Sequence, residues 1–294
     1  MKHLLICPIC QSPLIIGEKT WQCTGEPSVT NPQNRQHSFD VAKQGYVNLL
    51  PVQHKKSKNP GDMQASIQAR QRFLSANFYQ PLLEKLQQLC QTSVTQSTTW
   101  LDVGCGDGFY TQGFLSLDPK TLIALDISKP AVMVTAKTLK AVKHNDLNTQ
   151  VFAVVASASQ VPIADDRVDI ITSIFSPILP QEFNRLLADD GHVFIAKPGE
   201  NHLYQMRQGL FDEVIAHDSD KFIEAMSPFF VLTDEQKIQY DIEVNAEQLT
   251  DLVNMTPYTF RAKPTNRQTL LEKCERERTM QLTVDFVIYQ FTKQ

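Results

Sequence analysis

From Thr99 onward the chain alternates short apolar runs with amphipathic stretches. The alternation predicts strands over 99–103, 121–126, 150–155, 168–174 and 191–196. Helices fill the gaps, at about 108–117, 129–139 and 180–188. Apolar strands separated by amphipathic helices form a parallel sheet covered on both faces. Right-handed crossovers then give a doubly wound α/β sheet. Two later runs, 229–240 and 279–291, are rich in β-branched and aromatic residues, with helical stretches at 246–253 and 265–277 between them. They are placed to finish a mostly parallel, seven-stranded sheet as an antiparallel pair.

The first hundred residues follow a different pattern. In residues 1–40 three cysteines lie among breakers, Pro8, Pro13, Gly25, Pro27 and Pro32. Residues 41–66 show little apolar periodicity and contain the turn signal Asn59-Pro60-Gly61. From 64 to 91, Ile67, Phe73 and Leu74, then Leu82, Leu83, Leu86 and Leu89, fall at helical spacing, interrupted around Asn77–Pro81. The expected organisation is a small unit over 1–40, a connector with helices over 41–98 and the α/β domain over 99–294.

Composition changes this picture in two places. No apolar run approaches the roughly 20 residues that cross a bilayer, and the short apolar run after Met1 lacks a small-residue cleavage site, so a cytoplasmic location is expected. In a reducing compartment the clustered cysteines point to metal rather than disulfides. The net charge of −4 is also unevenly spread, +5 over residues 1–80 and −9 over the remainder. A basic front on an acidic body suits contact with a polyanion.

The stretch Leu101-Asp102-Val103-Gly104-Cys105-Gly106-Asp107-Gly108-Phe109 carries candidate chemistry. In an open parallel sheet, ligands sit beyond the carboxyl ends of the strands. Gly104, Gly106 and Gly108 allow a tight turn and close approach of the backbone to a ligand. Phe109 stands where a dinucleotide fingerprint needs its last glycine, so the spacing points to S-adenosylmethionine rather than a nicotinamide. Asp126 ends the second strand, placed for both ribose hydroxyls, with Ile127 against adenine and residues 156–159 at the adenine edge. Asp102 or Asp107 is suited to the cationic amino group. Asp165 and Asp169 read as turn and strand-start carboxylates. Phe175, at the end of the fourth strand, is a candidate platform for a flat substrate ring.

Cys7-Pro8-Ile9-Cys10 has the two-residue gap of a zinc knuckle, and Cys23 supplies a third thiolate. His37 is the best fourth ligand, with His3 and His54 as rivals. Cys90, Cys105 and Cys274 read as buried thiols.

These residues resemble the bacterial 23S rRNA guanine-N1-methyltransferases of the RlmA type over nearly the whole chain. The motifs are Cys7–Cys10, Cys23, His37–Asp40, Ala42–Pro51, Gly61-Asp62, Asp102–Thr111, Lys197–Leu203 and Met255–Pro257. The resemblance implies a class I S-adenosylmethionine-dependent methyltransferase with an N-terminal zinc ribbon. It further implies methylation of guanine N1 in a hairpin loop of 23S rRNA, by a homodimer whose cleft holds the RNA. It assigns zinc to Cys7, Cys10, Cys23 and His37, and the cofactor site to Tyr79, the Gly104–Phe109 turn, Asp126 and His202. One departure is the long stretch Thr24–Gln36 where the family has a short second knuckle.

Guanine N1 must shed a proton to become a nucleophile. Proximity is expected to do most of the work, with Phe175 stacking on the base and a carboxylate or His202 aiding deprotonation. Lys55, Lys56, Lys58, Arg70 and Arg72 are the expected phosphate contacts. Two other readings fit the motifs less closely: a non-catalytic zinc and RNA-binding protein on a methyltransferase fold, or methyl transfer to another RNA or a small molecule.

Overall fold

The computed structural model describes residues 3–26, 31–54, 57, 60–142, 148–214 and 220–294. The chain opens with an antiparallel three-stranded sheet, β1 (Leu14–Ile15), β2 (Thr20–Cys23) and β3 (Ser38–Asp40). β4 (Tyr46–Asn48) follows, then a short 3-10 turn over Val52–His54. Two helices come next, α1 (Gln64–Ser75) and α2 (Gln80–Gln91). Asn77, at φ +62°, makes the break that the sequence placed between them.

The α/β part runs β5 (Thr99–Val103), α3 (Phe109–Leu115), β6 (Thr121–Asp126), α4 (Lys129–Val142), β7 (Gln150–Val155), β8 (Val168–Ile174), α5 (Pro180–Leu186) and β9 (Leu187–Pro198). It closes with α6 (Tyr204–Leu210), α7 (Asp220–Met226), β10 (Phe230–Val244), α8 (Ala246–Met255), α9 (Tyr258–Arg261), α10 (Pro264–Glu277) and β11 (Met280–Lys293). The strand order is β10-β11-β9-β8-β5-β6-β7-β4. β4 through β9 pair in parallel, and β11 and β10 add the expected antiparallel pair. Strand order reverses between β5 and β8, which opens the ligand crevice there.

The seven predicted strands are present, and the connector adds an eighth. Tyr46, Val47 and Asn48 pair with Ala153, Val154 and Val155, and the amide of Leu49 donates to the carbonyl of Val155. Val47 and Leu49 are fully buried, so this short strand covers the free edge of β7. Three apolar residues are too few to show a period, which is why the sequence reads as loop there.

One apolar cluster lies under α1–α4 and α8 and contains Phe73, Leu82, Trp100, Phe114 and Phe286. A second lies on the opposite face, around Leu101, Ile123, Phe183 and Val193, and the three-stranded unit shares it through Leu5, Leu14 and Trp21. Trp21 meets Phe152 edge to face at 5.4 Å. The Ile6 amide donates to the Pro162 carbonyl at 3.0 Å, and the Ala164 amide to the Leu4 carbonyl at 2.9 Å.

Candidate active site and metal centre

β5 runs into the glycine turn, where Gly104 and Gly108 stand at φ +73° and +87°. A Cβ on Gly104 would lie 2.3 Å from that of Ser176, and one on Gly108 would lie 2.9 Å from Thr135 Cγ2. Both positions therefore exclude side chains twice, by backbone conformation and by space. The amides of Gly104 and Cys105 donate to the Leu125 carbonyl, which ties the turn to β6. Thr135 Oγ1 donates to the Gly106 carbonyl at 2.8 Å.

Asp126 sits at the centre of this arrangement. Its two oxygens accept from the amides of Gly106 (3.0 Å) and Ser128 (2.7 Å). Each keeps a lone pair, the acceptor set that a ribose diol requires. Burial pushes the carboxyl above its ordinary range, and the two amides pull it back. Ile127 is half-buried against the main core beside it.

The two carboxylates expected near the amino group are placed differently. Asp102 lies beneath the turn, 1% exposed, accepting from the hydroxyls of Thr111 and Thr172. Burial pushes its carboxyl up to about 6, against those two hydroxyls. Asp107 lies in the turn itself, also raised by burial, with the Arg70 charge opposing the shift.

An aromatic group closes the carboxyl end of β8. Phe175 is 43% exposed at φ +53°, a backbone region costly for a bulky side chain. The rings of Phe286, Tyr110 and Tyr79 stand 5.2, 6.4 and 6.5 Å from it. Tyr79 is buried, its hydroxyl 3.4 Å from His202 Nε2. His202 Nδ1 accepts from the amide of Asp285 at 3.3 Å, which makes Nε2 the protonated nitrogen of the neutral ring. The acceptor nitrogen is thus occupied by an amide, and the geometry gives His202 a positioning part rather than that of a base.

The expected phosphate contacts fare unevenly. Lys55, Lys56 and Lys58 lie outside the described residues. Arg70 and Arg72 are both held in ion pairs instead, Arg70 partly buried and Arg72 on the exposed side of α1. Arg72 makes a two-pronged pair with the buried Asp251, stapling α1 to α8. Arg70 pairs with Asp62 at 2.6 Å, donates to the Met255 carbonyl and lies over Gly106. The helical period that exposes one face of α1 carries no sign of α8, so sequence reads both guanidinia as free. Asp165 pairs with Arg185, and Asp169 accepts from the Thr99 amide, the structural parts expected of them.

Several residues of the site escaped the sequence reading. Gly61 packs on Ser128, and Ser128 Oγ donates to the Asp62 carbonyl, so the connector roofs the Asp126 end of the crevice. Ser176 donates to the Val103 carbonyl at 2.6 Å. Thr135 had a signal, a lone hydroxyl on the otherwise apolar buried face of α4.

In the small N-terminal unit the ligand atoms of Cys7, Cys10, Cys23 and His37 lie within 4.8 Å of one another. Cys7 Sγ and Cys23 Sγ are each 3.6 Å from His37 Nδ1, and Cys10 Sγ is 3.6 Å from Cys23 Sγ. Ligands at tetrahedral corners around zinc stand about 3.5–3.8 Å apart. The donor set and its spacing fit that ion. His3 and His54 are not part of the described cluster. The long Thr24–Gln36 stretch, of which residues 27–30 lie outside the described ones, does not separate the ligands, because β2 and β3 pair antiparallel on either side of it. Gln22 pairs with Ser38, and the Cys23 amide donates to the His37 carbonyl, which brings the two ligands side by side.

The crevice fits S-adenosylmethionine on the same kind of test. Asp126 presents free lone pairs, the turn leaves no room for Cβ atoms, and the buried Tyr110 hydroxyl lacks a partner among the described residues. Fold and site together define a class I S-adenosylmethionine-dependent methyltransferase carrying a Cys3His zinc ribbon.

Comparison with known proteins narrows the class. Residues 5–58 match the family model for the RlmA N-terminal zinc ribbon, and residues 101–191 match a methyltransferase domain. The chain is 27% identical to the 23S rRNA (guanine(748)-N(1))-methyltransferase of Streptomyces fradiae, over 88% of this chain and 87% of that protein. It is 26% identical to a Bacillus subtilis protein provisionally named a 23S rRNA (guanine-N(1)-)-methyltransferase, over 95% of this chain and 93% of that one. A Bacillus halodurans crystal structure, provisionally named a methyltransferase, shares the fold at TM-score 0.51 and 18% identity, over 71% of this chain and 97% of its own. The resemblance read from the sequence motifs therefore holds: the chain is similar to the RlmA-type 23S rRNA guanine-N1-methyltransferases.

Proposed function

We propose that this protein transfers a methyl group from S-adenosylmethionine to N1 of a guanine in a hairpin loop of 23S rRNA, acting in the cytoplasm as a homodimer. The observation that carries the reading is the union, in one chain, of an RlmA-type zinc ribbon with a methyltransferase crevice. The names of the relatives support the same substrate.

When bound, S-adenosylmethionine supplies an electrophilic methyl group on a sulfonium. Asp126 holds the ribose through its remaining lone pairs, and Asp107 faces the cationic amino group. Phe175 stacks on the extruded guanine, within a group of rings that exclude water. A loop base is less costly to flip than a paired one. Tyr79 and His202 fix the wall behind Phe175 rather than exchange protons. Proximity of N1 to the methyl group supplies the larger part of the acceleration: as the N1–CH3 bond formed, the S–CH3 bond would break to leave the neutral thioether, and the N1 proton would pass to solvent water. Exposed Met63 and Phe260 supply apolar surface for a second copy.

The test is methyl transfer from labelled cofactor to unmodified 23S rRNA transcript, followed by mass mapping. Label on guanine N1 in a hairpin loop is the expected result. Label elsewhere, or none with zinc-loaded protein, overturns the assignment. Sedimentation velocity decides the dimer separately.

A further inference from the structure

α4 carries an uncompensated basic track. Its sequence, Lys129 to Val142, holds three lysines and no carboxylate in a chain of net charge −4. Lys129, Lys137 and Lys140 are all exposed. Lys137 and Lys140 follow Lys129 by eight and eleven residues, so successive turns bring all three to one side of the helix. The track starts beside the Asp126–Ser128 turn and ends about 17 Å away, eleven residues at 1.5 Å each.

At its far end it meets the turn before β4. Lys43, Gln44, Lys137, Lys140 and Ala141 line an open cavity of about 520 Å³. Among the described residues none of these four lysines forms an ion pair or a hydrogen bond. Unpaired ammonium groups are stable on a surface, but their clustering across a groove raises the local potential for an anion. The spacing along α4 suits successive phosphates rather than one small anion.

We propose that Lys129, Lys137 and Lys140 with Lys43 form a surface on which the backbone of the RNA substrate lies, running from the Asp126 end of the crevice down α4 into the Lys43 groove. The inference rests on the function proposed above and adds to it the path of the RNA. It also assigns to α4 and the β4 turn the phosphate contacts that Arg70 and Arg72, engaged with Asp62 and Asp251, do not provide.

The test uses the full zinc-loaded chain and a triple variant, Lys43→Gln with Lys137→Gln and Lys140→Gln. Binding to unmodified 23S rRNA transcript is measured across a range of salt concentrations. Each lost phosphate contact lowers the steepness of log K against log salt by about 0.7–0.9, so a decrease of about 2–3 is expected, with affinity at least about tenfold weaker near 0.1 M salt. The matching Lys→Arg triple variant keeps the charge and should restore both quantities. A melting curve on each variant checks folding. Unchanged affinity and slope in the Gln variant overturn the proposal, as does equal binding to polyglutamate of matched charge. If the parent chain binds the transcript and the variant loses it, yet no methyl group is transferred, the surface stands and the assigned reaction fails. If the parent methylates the transcript and the Gln variant binds as tightly as the parent, the reaction stands and the surface fails.

Discussion

Phe175 concentrates the argument at the scale of single residues. A half-exposed phenylalanine held at φ +53° beside three other rings is costly unless something covers it. Phe175→Ala should lower kcat/KM for rRNA by about 5- to 160-fold, from a stacking contribution of about 1–3 kcal/mol, with melting temperature nearly unchanged. Steady-state kinetics with calorimetry checks this. Asp126 gives a complementary expectation. Asp126→Ala removes the ribose acceptor and strands the amides of Gly106 and Ser128, so S-adenosylmethionine binding should vanish in titration calorimetry. Asp102 makes a prediction about pH. Its carboxyl stands at about 6 when folded and near 3.8 when unfolded, so folding takes up a proton between those values. Its contribution to stability is complete below about pH 4 and is lost as pH rises through 6. Asp102→Asn carries no charge at any pH. Relative to the parent, its stability should rise by about 3 kcal/mol from pH 4 to pH 8 in urea titrations. The ribose carboxylate and the glycine turn were legible in the sequence because a ligand-approach turn needs glycines at fixed spacing. The burial of Asp102 beneath two threonine hydroxyls was not, since Thr172 lies 70 residues away on β8.

Elements show why some of the fold reads easily and some does not. The parallel strands announced themselves because both faces are buried, giving continuous apolar runs. The edge strand β10 was legible by its β-branched and aromatic residues, and the structure shows its burial alternating along most of its length. β4 did neither, being three residues long and stabilised by pairing with β7 rather than by its own pattern. α1 and α2 were legible as helices, but not that Arg72 of α1 faces the buried Asp251 of α8. The β2–β3 hairpin is the instructive case. Counting residues between Cys23 and His37 suggests distant ligands, whereas antiparallel pairing makes them neighbours. That geometry predicts one zinc per chain in metal analysis of the purified protein. It further predicts that His37→Ala retains less than the parent after dialysis against a weak chelator, because three thiolates leave the tetrahedron open.

At the scale of the whole molecule, the ribbon and the methyltransferase part keep separate sheets but share one apolar core, and the connector strand β4 joins the central sheet. Leu5, Leu14 and Trp21 of the ribbon lie in the same cluster as Phe152, Val154 and Ile163. β4 extends the central sheet, and the following Gly61–Asp62 turn caps the Asp126 end of the crevice. A zinc ribbon tethered by a linker would unfold separately from its neighbour, since inter-domain contacts would contribute little. Here the metal site is small, and its folding free energy is shared with the faces it covers. Zinc removal is expected to loosen the Trp21–Phe152 contact and the segment that leads into β4. The expected calorimetric behaviour is therefore one cooperative transition for the zinc-loaded chain, shifted as a whole to lower temperature by chelation. Two transitions, of which only one responds to chelator, would mean that the shared core does not couple the parts. The coupling reaches the chemistry as well, because the connector that roofs the crevice is anchored by β4 on one side and by Arg70 and Ser66 against α8 on the other. Chelation should then weaken S-adenosylmethionine binding although no zinc ligand lies in the crevice, a linkage that titration calorimetry with and without the metal reads directly.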